Sequence, residues 1–184
     1  MRPLFKTALP LIQAPRAGVQ DWRLAAAVSE AGGLGSLPAG MLNARQLEEQ
    51  LAQLGQATRQ PYNVNFFCHT SPAPNPEGEQ RWVETLRPYY DAFSADASAI
   101  PEGPSRKPFD ADCAAVLAQF QPAVVSFHYG LPEDALLDRV KATGAKVLSS
   151  ATTVEEALWL EAQGADAVIA QGLEAGGHRG HFLR

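Results

Sequence analysis

Six short runs with strand character begin near residues 9, 34, 61, 123, 145 and 167, at gaps of 25, 27, 62, 22 and 22 residues. Helical patterns fill the intervals. A chain that alternates strands and helices in this way builds parallel βαβ units. Four of the five gaps are the length of one strand-helix unit, and the long one holds an insertion, residues 70–110, after the third strand. The regularity predicts an α/β fold of the TIM (β/α)8-barrel family. A full barrel takes about 250 residues, so the 184 residues are expected to form a single domain, 1–184, covering about the first six strand-helix units of an incomplete barrel. A doubly wound open sheet is also compatible with the spacing alone.

Local signals give the elements their limits. The predicted strands are residues 9–15, 34–37, 62–67, 123–128, 145–150 and 167–170. Asp21 is placed to cap a helix over 22–31, which Gly32-Gly33 ends. Asn43 and Gln46 have capping-box spacing ahead of a helix whose Leu47, Leu51 and Leu54 share one face. Thr153 and Glu156 repeat that spacing before the sixth strand. Residues 71–78 and 101–108 read as turn-rich loops. Between them a helix over 79–93 carries Trp82, Leu86 and Tyr89 on one stripe, which reads as a packing face.

Composition removes several classes of function. The net charge of −5 opposes binding to a phosphate backbone, so no nucleic-acid partner is expected. No apolar run approaches the roughly 20 residues of a membrane helix, and the N-terminal residues lack a signal peptide's apolar stretch. A cytoplasmic enzyme with no membrane partner is the expectation. The two cysteines, Cys68 and Cys113, lie outside any metal-ligand spacing and read as free thiols, so no metal site is expected.

In barrels of this kind the chemistry lies at the C-terminal ends of the strands. Those positions here are Gln13-Ala14-Pro15-Arg16, Gly35-Ser36-Leu37-Pro38, Asn63-Val64-Asn65, Ser126-Phe127-His128-Tyr129-Gly130, Ser149-Ser150-Ala151-Thr152 and the segment 171–180, QGLEAGGHRG. Amides that can bond ring carbonyls and nitrogens, and glycines that admit close backbone approach, suit a planar cofactor lying over the barrel mouth. Taken singly, each has a plainer use: Asn65 can cap a turn, His128 can serve packing, and Gly176-Gly177 can be any tight loop. The last segment is different. A Gln, a Glu, a His, an Arg and several glycines within ten residues have little structural purpose.

These motifs, with AAAVSEAGGLGSLPAG, YNVNFFCH, VVSFHYGLP, KVLSSATTVEEA and GADAVIAQGLEAGGHRG in order along nearly the whole chain, resemble the nitronate monooxygenase family. That resemblance implies an FMN-dependent monooxygenase that oxidises alkyl nitronates such as propionate 3-nitronate with molecular oxygen, giving carbonyl compounds plus nitrite or nitrate. Carried over by motif, Asn65, Gln171 and Gly176 contact FMN, and Gly177 lines the same loop. Gln13, Ala14, Pro15 and Arg16 place backbone against the flavin ring, and His178 is the active-site histidine that orients or holds the nitronate. Arg16 departs from the family pattern, which has Met after Gln-Ala-Pro. The implied partners are the nitronate and oxygen, with self-association through open barrel edges as a further expectation. Two alternatives stand beside this one: a related FMN barrel reductase of the enoyl-acyl carrier protein or NADH:quinone type, and an inactive truncated fragment.

Overall fold

The computed structural model describes residues 2–99 and 107–183. The loop expected at 101–108 lies mostly outside the described residues. In chain order the elements are α1 (Arg2–Phe5), α2 (Trp22–Glu30), β1 (Gly35–Pro38), α3 (Ala44–Ala57), β2 (Tyr62–Phe67), α4 (Pro76–Ala92), α5 (Ala111–Phe120), β3 (Val124–His128), α6 (Asp134–Ala142), β4 (Lys146–Ala151), α7 (Val154–Ala162) and β5 (Ala167–Ala170). Two compact units result: residues 1–69 with 106–184, and residues 70–105.

In the larger unit the five strands form one parallel sheet in sequential order, β1-β2-β3-β4-β5. This is the strand succession of a barrel laid down one βα unit at a time, not the reversed order of a doubly wound sheet. The chain is the incomplete (β/α)8 barrel that the spacing predicts, with one difference. The run at 9–15 forms no regular strand. It touches the sheet through a single parallel bridge, Ile12 to Leu34, and the N–H groups of Leu9, Gln13 and Leu34 make its backbone bonds. Pro10 lacks an N–H, so an unbroken ladder cannot run through it.

The strand period of two separates the faces. Leu37, Val64, Phe66, Val125, Phe127 and Val147 pack against Leu47, Leu51, Leu54, Leu117, Leu137 and Val140 of the covering helices. At the strand starts of the opposite face, Leu34, Val124 and Leu148 surround buried Phe5. The short α1, which carries Phe5, has no signal in the hydrophobic pattern. The cap at Asp21 and the Asn43–Gln46 capping box form as predicted. The box at Thr153–Glu156 does not. The Thr153 hydroxyl accepts from the Glu156 N–H, but the Glu156 carboxylate turns to the N–H and hydroxyl of Thr152 instead of the Thr153 N–H.

The smaller unit is built on α4, capped by Asn75, whose side chain accepts from the Gly78 N–H. Its stripe is not a packing face: Trp82 and Tyr89 are 62% and 64% exposed. A unit this short, below about 40 residues, does not assemble a core of its own.

Gly35 tests the helix-on-sheet packing. A Cβ there would stand 1.9 Å from the Ala25 carbonyl oxygen of α2, whereas one on Gly55, in α3, would meet nothing within 4 Å. Gly35→Ala is expected to lower the urea-unfolding free energy by about 3 kcal/mol, and Gly55→Ala to raise it by about 0.5–1 kcal/mol. Equal effects of the two would contradict the packing described.

Candidate active site

The inner face of the sheet becomes polar toward the C-terminal strand ends, and its side chains bond across strands. Asn63 Nδ2 donates to Ser36 Oγ on β1 (3.1 Å) and Ser126 Oγ on β3 (2.9 Å). Asn65 Nδ2 donates to the same Ser126 Oγ (2.9 Å). The parallel register produces this, since Ser36 lies opposite Asn63 and Asn65 opposite Ser126. Gln13 extends the row past β1: its Oε1 accepts from the Ser36 N–H (3.1 Å) and its Nε2 donates to the Ser36 carbonyl (3.4 Å). The amide therefore continues by side chain the pairing that the 9–15 run lacks. Ala14 and Arg16, just beyond, are exposed, and Pro15 is half-buried.

The segment 171–180 folds over the ends of β3, β4 and β5. Gln171 closes it from within, with Nε2 donating to the His178 carbonyl (2.8 Å) and Oε1 accepting from the Gly180 N–H (2.7 Å). One amide N–H and one lone pair of Gln171 stay available to a ligand. His128, at the end of β3, reaches the same carbonyl through Nε2 (3.0 Å) and Ser150 Oγ through Nδ1 (2.9 Å). A carbonyl oxygen only accepts, so Nε2 carries the hydrogen, and Nδ1 of the neutral ring accepts from the serine hydroxyl. Burial holds the His128 pKa below the ordinary histidine value, reinforced by the nearby His178 and partly offset by the bond to its carbonyl. Gly180 admits this approach: a Cβ there would sit 2.6 Å from His128 Cε1.

The His178 ring itself is exposed and lies against Phe67 (centroids 5.8 Å apart) and Tyr129 (6.5 Å). His128 and Tyr129 also pack on Phe67, so Phe67 is the floor of an imidazole-aromatic cluster at the mouth. The sequence assigns roles to Asn65, Gln171 and His178, places Ser126 and Ser150 among the strand-end positions without a role, and passes over Phe67. For these last three the signal was positional only, in that each stands at or near the C-terminal end of a strand. Burial raises the Cys68 pKa and, as the leading cause, pushes that of Cys113 up to about 12.

Whether an FMN ring suits this mouth is decided by open backbone and free acceptors. Nothing lies within 4 Å of where a Cβ would stand on Gly176 or Gly177, and Gly177 has φ +83°, a conformation that favours glycine. Asn65 has Nδ2 engaged by Ser126, which leaves Oδ1 as the acceptor it can offer. Asn63 Oδ1 is buried without a partner among the described residues. Open glycine backbone would let a flavin ring approach closely and offer N–H groups to its carbonyls, and a free amide oxygen would accept from its one ring N–H, so the residues present are compatible with such a ring.

The end of the segment is tied down by one carboxylate. Glu156, fully buried on α7, accepts from the Thr152 N–H and hydroxyl through Oε2 (2.7 and 2.8 Å) and from the Phe182 and Leu183 N–H groups through Oε1 (2.7 and 3.2 Å). His181 Nδ1 is 3.0 Å from Oε1. Burial alone would push this carboxyl up, but the hydrogen bonds outweigh it and hold the pKa down at about 2. A free glutamate titrates at 4.5, so the stability Glu156 contributes is complete above that pH and is lost as pH falls toward 2. Between pH 6 and pH 3 the urea-unfolding free energy of the native chain is expected to fall by roughly 1–2 kcal/mol more than that of Glu156→Gln. Parallel losses in the two would contradict this.

The chain matches known proteins over nearly its whole length. The family model described as nitronate monooxygenase matches residues 1–184. A nitronate monooxygenase of Paraburkholderia phytofirmans is 43% identical over 181 residues, which are 98% of this chain and 50% of that protein. Another, of Pseudomonas aeruginosa, is 41% identical over 94% of this chain and 50% of its own length. Among solved structures, a nitroalkane oxidase from Streptomyces ansochromogenes superposes with a TM-score of 0.80 at 38% identity, covering 97% of this chain and 50% of that one. A FabK mutant from Thermotoga maritima gives 0.71 at 28% identity, covering 98% and 48%. The chain spans about half the length of the curated relatives it matches. With the sheet order, the glycine-lined loop and the histidine at the mouth, these matches place the chain in the nitronate monooxygenase family.

Proposed function

We propose that the protein oxidises alkyl nitronates, of which propionate 3-nitronate is a representative, using FMN and molecular oxygen, with a carbonyl compound and nitrite or nitrate as products. The observation that carries this reading is the folded 171–180 segment. It exposes the His178 ring at the mouth beside Phe67 and Tyr129 while His128 and Gln171 grip its main chain.

In this reading Asn65, Gly176 and Gly177 hold the flavin ring, with the remaining N–H and lone pair of Gln171 beside them. The backbone of Gln13, Ala14, Pro15 and Arg16 lines the opposite side. The bound flavin supplies the electron acceptor and the reaction with oxygen. The chain's own groups bind and orient. A nitronate already carries the carbanion-like electron pair that a neutral nitroalkane gains only when a base removes its proton, so the site needs a donor more than a proton acceptor. His178 supplies an N–H to the nitronate oxygens. Phe67 and Tyr129 give the alkyl part an apolar wall that excludes water from one side. His128, fixed as the Nε2–H tautomer, keeps the His178 main chain from drifting.

The likeness to FabK supports a second reading, an FMN reductase on the same scaffold, since a fold does not fix a reaction. A soluble small-molecule enzyme accords with both. No helix among the described residues is long and apolar enough to cross a membrane; a cytoplasmic location is part of the proposal. Self-association through the open edge of β5, which pairs with β4 alone among the described strands, remains part of the proposal.

The test is steady-state oxygen uptake with propionate 3-nitronate, alongside flavin absorbance of the purified protein. His178→Ala is expected to lower turnover about 10²-fold with flavin content unchanged. Unchanged turnover would remove His178 from the site. Flavin reduction by NAD(P)H with no nitronate turnover would favour the reductase.

A further inference from the structure

Glu156 is a buried carboxylate that accepts four hydrogen bonds and for which binding and turnover have no direct use. Its sequence position suggests an ordinary capping-box acid, yet it leaves the Thr153 N–H and joins two places distant in the chain. Oε2 holds the β4–α7 turn at Thr152, and Oε1 holds the main chain at Phe182 and Leu183. The held segment is the continuation of the loop that carries Gly176, Gly177 and His178.

Around this tie the contacts run back to the mouth. Phe182 packs on Trp159 of α7 with centroids 5.3 Å apart. It also lies over the Tyr129-Gly130 turn, since a Cβ on Gly130 would meet the Phe182 ring at 3.1 Å. Ser149 Oγ donates to the Gly130 carbonyl (2.7 Å) and holds the same turn from β4. Tyr129 in turn borders His178. The loop is therefore tied at three levels: at the His178 carbonyl by His128 and Gln171, at the Gly180 N–H by Gln171, and at Phe182 and Leu183 by Glu156. Only the last of these comes from a group that does not touch His178.

We infer that Glu156 is a positioning residue, the carboxylate that anchors the 171–183 segment and through it sets the place of the His178 ring. A carboxylate suits this better than an amide. All four hydrogen-bonding partners and the His181 ring present donors, and ionised oxygens can accept from every one. Glutamine would turn an N–H toward donors at one end. Aspartate keeps the charge but is one methylene too short to bridge both ends.

The inference rests on the proposed role of His178, and the test separates the two. Amide hydrogen exchange is measured first, on the protein without added flavin. In Glu156→Gln and in Glu156→Asp the amides of Phe182, Leu183 and the 171–180 loop are expected to exchange at least about tenfold faster, with β3 amides unchanged. Nitronate turnover is then measured in a double-mutant cycle with His178→Ala. Loss of positioning is expected to lower kcat by roughly 10–100-fold in the otherwise native protein, with KM little changed, and to have no further effect once His178 is gone. Unchanged exchange across 171–183 in both Glu156 variants would overturn the inference, as would losses that multiply in the double variant. If His178→Ala alone leaves turnover intact, the proposed function fails, while the exchange result still judges the anchor.

Discussion

A parallel ladder held in one register from β1 to β5 is the constraint on which the site depends. Because side chains alternate along a strand, a slip of one residue would carry Asn63, Asn65 and Ser126 to the helix side and turn Val64, Phe66 and Val125 toward the polar face. The apolar alternates bury Leu47, Leu51, Leu54 and Leu117 beneath them, and burial at about 25 cal/mol per Å² of apolar surface makes such a slip prohibitive. The polar alternates then meet one another by necessity, and the amide-hydroxyl row Ser36–Asn63–Ser126–Asn65 follows. A buried polar group without a partner costs about 1–3 kcal/mol, so this row also penalises wrong pairings.

On that base the chain places an irregular segment where a barrel presents its chemistry. Loops position groups well only when something overdetermines them. Here Gln171 closes the loop on itself, His128 grips it from β3, and Glu156 holds its far end from α7. Function and stability draw on the same bonds. The His128 tautomer that binds the His178 carbonyl is also the one whose Nδ1 engages Ser150, and the carboxylate that lowers its own pKa does so by accepting from the segment it anchors.

Much of this was legible in the sequence, for identifiable reasons. Strand-helix spacing revealed the parallel βα units because each folds locally, while leaving the sheet order to the structure, and the caps at Asp21 and Asn43 depend on neighbours within three residues. Gly176, Gly177 and His178 stood out because a structural loop rarely combines such residues. Contacts between residues distant in sequence were hidden. Glu156 sits three residues after Thr153, as a capping box requires, and only the fold shows that Phe182 and Leu183 compete for its oxygens and win. Gln13 reads as a position whose backbone faces the cofactor; that its side-chain amide also brackets Ser36, where the 9–15 run makes only a single bridge, is a contact between residues distant in sequence. The Trp82 and Tyr89 stripe misled in the other direction, since periodicity records a face but not whether anything covers it.

Flavin is expected to bind at the mouth built by Asn65, residues 13–16 and the 171–180 segment. Hydrogen exchange across the whole chain, with and without FMN, tests it most directly. Slowed exchange concentrated in residues 13–18, 65–67 and 171–180, with the strand starts around Leu34 and Val124 unaffected, is the predicted footprint. Protection confined to the α2–α3 side near Val19 and Met41, or no protection in the 171–180 segment at saturating flavin, would contradict the account.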